Sequence, residues 1–116
     1  MNEMKRWSKI ENFMKIKFNQ DETPDLNTII FLIGLQEFGG GYRRYKKDDK
    51  MNLIHIAVCR LLEPFGYYKF DRFDDDGWPH YITLEELPDL KSNEQMLLIK
   101  KAIIQYFEDE KLIEDF

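Results

Sequence analysis

Apolar residues recur at helical spacing in four stretches of this chain, and between the third and the fourth the period drops to two. In the first stretch Trp7, Ile10, Phe13, Met14 and Phe18 share one stripe, with Lys5, Lys9, Lys15 and Lys17 on the other faces, which predicts a helix from Glu3 to Phe18. Thr23-Pro24-Asp25 then reads as a helix start, with a hydroxyl cap, proline at the first helical position and an acid in the first turn. From Leu26 to Phe38 apolar side chains cover most of the circumference, the mark of a central helix buried on several sides, and Gly39 must end it. Gln36 and Glu37 interrupt that surface near its end and are expected to cap or to pair with Arg43 or Arg44, the alternative being that they line a pocket. Asp48 or Asp49 caps a third helix, whose Leu53, Ile54, Ala57, Val58, Leu61 and Leu62 form a face spanning about half the circumference. Ser92 to Gln95 fits a capping box opening a last helix to Glu108, after which Leu112, Ile113 and Phe116 either prolong it or dock separately.

The period-two stretch runs from Gly66 to Leu84 and folds as a hairpin. Asp75-Asp76-Gly77 suits a three-residue loop that ends on a left-handed glycine and pairs Asp74 with Trp78. Continuing outward sets Arg72 against His80, Phe70 against Ile82 and Tyr68 against Leu84, which gathers the apolar residues on one face. Tyr67, Lys69, Asp71 and Phe73, with Pro79, Tyr81 and Thr83, fall on the wetter face, and Pro79 confines its strand to an edge or irregular position. Tyr67, Tyr68, Phe70, Phe73 and Trp78 are more aromatic surface than a two-stranded ribbon needs for itself.

The elements predict a single α+β domain over residues 1–116, mainly helical, in the order helix, helix, helix, hairpin, helix. That order resembles the winged-helix arrangement, in which the third helix enters the DNA major groove and the hairpin is the wing. The resemblance is one of element order, and the residues oppose its DNA role. The third helix offers Asn52, Cys59, Arg60 and Glu63, a poor set for phosphate or base contacts, and the hairpin tip would push Asp74, Asp75 and Asp76 toward a polyanion.

Composition narrows the picture further. At 116 residues the chain can bury roughly two thirds of the surface its unfolded form exposes. The longest apolar run, Ile29 to Ile33, is too short to cross a bilayer. MNEMKRWSKIENF lacks the apolar core and cleavage site of a secretory leader, and the lone Cys59 suits a reducing compartment, so a cytoplasmic protein is expected. Two alanines against twelve lysines and twelve isoleucines point to an AT-rich bacterial or phage genome. Charge is polarised: residues 1–50 carry ten cations and eight acids, residues 51–116 seven and fourteen, for a net −5. An acidic half disfavours wholesale nucleic-acid binding.

Three constellations could carry chemistry. Gly39-Gly40-Gly41 leads into Tyr42, Arg43, Arg44, Tyr45, Lys46 and Lys47, a permissive backbone followed by four cations and two tyrosines; it could hold phosphate or an acidic partner, or pair internally with the acidic half. It lacks the spacing of a Walker loop and the preceding strand. Asp74-Asp75-Asp76-Gly77 fails as a calcium loop, since Gly77 at the sixth position puts Arg72 at the first and Thr83 at the twelfth. His55 and Cys59 lie one helical turn apart, but a zinc site would also need His80 and carboxylates, and no nucleophile, base and orienter can be assembled from the spacing. No catalytic residue, metal or cofactor is therefore assigned. The expected function is a non-enzymatic protein-interaction module or accessory subunit of a cytoplasmic assembly, binding another protein through Arg72, Phe73, Trp78, His80 and Tyr81. The alternative is an accessory factor contacting RNA or DNA phosphates through residues 42–47, helped by Lys5, Arg6 and Lys9.

Overall fold

The computed structural model describes residues 3–39 and 45–116. Its elements are α1 (Glu3–Lys17), α2 (Leu26–Phe38), α3 (Lys47–Leu62), a 3-10 turn (Glu63–Phe65), β1 (Tyr68–Phe73), β2 (Pro79–Thr83) and α4 (Ser92–Asp109). The expected order is found. The helix starts differ in detail: Asp25, not Thr23, caps α2, its carboxylate accepting from the Thr28 N–H at 2.8 Å. That contact holds the Asp25 carboxyl below its usual range. Lys46 is the cap position of α3, which leaves Asp48 and Asp49 in its first turn, where the helix dipole favours them. At α4 the reciprocal bond comes from Glu94, which accepts from the Lys91 N–H at 3.1 Å, so the helix starts at Ser92.

Two ends close on non-glycine residues in the left-handed region. Asn19 has φ 52° and Lys111 φ 51°, and in each case the next N–H reaches back five residues, Gln20 to the Lys15 carbonyl at 2.9 Å and Leu112 to that of Phe107 at 3.2 Å. The second of these turns the chain back over the bundle. Leu112, Ile113 and Phe116 dock against the core, the Arg6 guanidinium lies 4.9 Å from the Phe116 ring centre, and the Lys9 ammonium donates to the Asp115 carbonyl.

The core forms where α2 meets the other three helices. Ile10 and Met14 of α1, Ile29, Leu32 and Ile33 of α2, Leu53, Leu61 and Leu62 of α3, and Ile103 and Phe107 of α4 are all fully buried. Because α2 is apolar nearly all round, it can be enclosed on several sides, and Gly34 lets α3 come closest. A methyl group on Gly34 would lie 2.2 Å from the Leu53 carbonyl oxygen, inside any allowed contact. Size is therefore the constraint at Gly34, whereas at Gly39 it is conformation: φ is 72° and the space around it is open.

Gly34→Ala is expected to destabilise by about 2 kcal/mol or more, since two backbones must separate, and Gly39→Ala by about 1 kcal/mol through strain alone. Denaturant midpoints measure both. An unchanged midpoint for Gly34→Ala would mean that α2 and α3 do not meet backbone to backbone there.

Candidate functional site: the aromatic face of the hairpin

The hairpin tip is built by Asp74. Gly77 has φ 87°, and the Asp74 N–H donates to the Trp78 carbonyl at 2.9 Å, as the three-residue loop requires. One Asp74 carboxylate oxygen accepts from the N–H groups of Asp76 at 3.0 Å and Trp78 at 2.9 Å, while the other lies 2.9 Å from His80 Nε2. The His80 bond and then the Trp78 N–H hold the Asp74 carboxyl below its usual range.

Register follows the expected pairing only as far as Arg72 opposite His80. Beyond it, Asp71 is an extra residue, so Phe70 faces Tyr81 and Tyr68 faces Thr83, in place of Ile82 and Leu84. The Phe70 N–H is taken by a Glu63 carboxylate oxygen at 2.8 Å, which ties β1 to the 3-10 turn beside the irregularity. The consequence is an aromatic face. Phe70 and Phe73 are three apart and would point to opposite sides of a regular strand, yet their rings lie 5.0 Å apart, with Tyr81 5.8 Å from Phe70. Phe73 is 62% exposed and Phe70 37%.

Beside these rings opens a cleft of about 230 Å³ floored by Glu37, Arg60 and Glu63. Arg60 is half-buried and bridges Glu37 at 3.3 Å and Glu110 at 2.5 Å, with its guanidinium 5.2 Å from the Tyr106 ring centre. The Tyr106 hydroxyl donates to Glu37 at 2.6 Å and accepts from the Gln36 amide at 2.9 Å. Burial alone would lower the Arg60 pKa, but the Glu110 hydrogen bond and the two carboxylates outweigh it and hold the cation firmly charged. Burial, with Glu37 added, pushes the Tyr81 phenol up to about 12, and burial with the Glu37 bond raises that of Tyr106. Gln36 and Glu37 thus join α2 to α3 and α4; the sequence signal was a polar pair on an otherwise apolar helix, but nothing local identifies Arg60 and Tyr106 as partners.

The remaining expected site residues divide. Trp78, expected among the partner-binding residues, stacks on Phe38 at the end of α2, ring centres 4.2 Å apart and 17° from parallel, so it is a lid on α2. His80 and Arg72 are exposed, and Arg72 lies 3.6 Å from Asp71. In the basic segment Tyr45 is buried against the core, Lys46 and Lys47 are exposed, and Tyr42, Arg43 and Arg44 lie outside the described residues. Of the α1 cations, Arg6 and Lys9 are engaged with Glu108, Phe116 and Asp115. A second cleft, of about 280 Å³, is lined by Asp49, Asn52, His55, Trp78 and His80. Cys59 Sγ lies 3.6 Å from His55 Nε2, but the thiol is buried and its pKa is pushed up to about 11, the opposite of an activated nucleophile. Among the described residues no three His, Cys, Asp or Glu side chains converge as metal ligands, and no helix is long and apolar enough to cross a membrane. No protein-family model, curated protein or solved structure matches the chain.

Two outcomes follow from this geometry. Trp78→Ala, which strips the cover from Phe38, is expected to cost about 2 kcal/mol or more, and Phe73→Ala less than about 0.5 kcal/mol, as for an uncovered side chain. Equal costs in thermal or chemical unfolding would contradict the division between lid and free face. In alkali, Tyr81 and Tyr106 are raised above 10.0 by folding, so the stability they confer is complete below that pH and is lost as pH rises through the folded values. Ultraviolet titration, read as the difference between the wild type and the Tyr81→Phe and Tyr106→Phe variants, should show these two phenols ionising late, together with unfolding; both ionising near 10 in a folded chain would refute it.

Proposed function

We propose that this protein is a non-enzymatic interaction module, an accessory subunit of a bacterial or phage cytoplasmic assembly, and that it binds another protein through the aromatic face of its hairpin. One observation carries the reading: Phe70 and Phe73 are brought together by an irregularity in β1 and left uncovered, on a frame fixed by Asp74, Glu63 and the Trp78 stack. Such a surface is already ordered before binding, so little entropy is lost when it is covered. Two carboxylates and one guanidinium floor the adjoining cleft, which gives it a net negative charge. The side chain that fits best has an apolar stem and a cationic head, an arginine or lysine laid along the rings.

The test is recovery of partners from native extract by the wild-type chain and by Phe73→Ala, each with and without nuclease. The reading expects a defined protein recovered by the wild type irrespective of nuclease and lost with Phe73→Ala, at unchanged melting midpoint. Unchanged recovery by Phe73→Ala would contradict it. Recovery that nuclease abolishes would favour the alternative, phosphate contacts by the basic segment 42–47.

A further inference from the structure

A groove of about 420 Å³ runs between α1 and α4, lined by residues of those two helices alone and sharing none with the hairpin clefts. Its apolar lining includes Met4, 84% exposed, and Leu97, 65% exposed, with Trp7 and Ile104 half-buried between them. Charge is sorted by helix. Glu3 and Glu11 stand on the α1 wall, Lys100 and Lys101 on the α4 wall. Lys100 lies 5.2 Å from the Trp7 ring centre, and among the described residues no ion pair engages Glu3, Glu11 or Lys101.

We infer that the occupant of this groove is a second copy of the chain. A surface that is acidic on one wall and basic on the other is complementary to itself, which is the requirement of a two-fold interface. The charges also choose the axis. A two-fold axis across the helices would set α1 on α1 and α4 on α4, acid on acid and base on base. An axis along the groove sets each α1 on the partner's α4, so both walls meet opposite charge while Met4 and Leu97 are covered. The dimer is therefore of the second kind, and it leaves the hairpin face free.

This arrangement has a test that a merely sticky groove would fail. Glu3→Lys with Glu11→Lys makes both walls basic, and Lys100→Glu with Lys101→Glu makes both acidic. Sedimentation of the wild type at rising concentration should approach twice 14.1 kDa. Each charge variant alone should stay at the monomer mass, and an equimolar mixture of the two should regain the dimer, with an affinity that falls as salt is added. Leu97→Glu, at an exposed position, should dissociate the wild-type dimer by at least tenfold without altering the circular dichroism spectrum. A wild type that remains monomeric at several hundred micromolar would overturn the proposal in favour of a different occupant. A dimer that survives either charge variant, or a mixture of folded variants that does not associate, would also overturn it.

Discussion

The backbone contact between Gly34 of α2 and Leu53 of α3 sets the positions on which the rest of the molecule depends. With no side chain at Gly34, α3 comes close enough for its later turns to bring Arg60 beside Glu37, and for Leu61 and Leu62 to close the core. The 3-10 turn and Gly66, with φ 87°, then direct the chain into β1 from that fixed point. Trp78 can reach Phe38 only because the hairpin leaves α3 there. A larger residue at Gly34 would displace core, ion network and hairpin together.

On this frame the irregularity at Asp71 brings the Phe73 ring onto the side that Phe70 shares with Tyr68. Tyr68 and Trp78 pack against the core, while the Phe70 and Phe73 rings stay exposed. Covering roughly 100 Å² of apolar ring would gain on the order of 2.5 kcal/mol at about 25 cal/mol per Å², comparable to a core residue and unused in the isolated chain. Folding is secured elsewhere, by the helices, so these rings are available for binding.

What was legible in the sequence was what is decided locally. Asp75-Asp76-Gly77 demands one turn because glycine alone tolerates the left-handed position cheaply, and Gly39 ends α2 for the same reason. The apolar circumference from Leu26 to Phe38 required a buried central helix. Register beyond Arg72 was not legible, since it depends on Glu63, in a different element, taking the Phe70 N–H. Nor could the stripe pattern show that Arg60 of α3 would find Glu37 and Glu110, because long-range ion pairing leaves no periodicity. Trp78 reads from the sequence as a partner-binding residue, and its stacking on Phe38, forty positions away, leaves no local signal.

The central claim is that the open rings, and not the opposite side of the same ribbon, meet another protein. Photo-crosslinking in the native cell separates the two sides directly, with p-benzoylphenylalanine placed either at position 73 or at the exposed position 69, which pairs with Ile82 on the other face. A discrete protein adduct from position 73, with none from position 69, is the predicted result; adducts from position 69 alone, or equally from both, would contradict it.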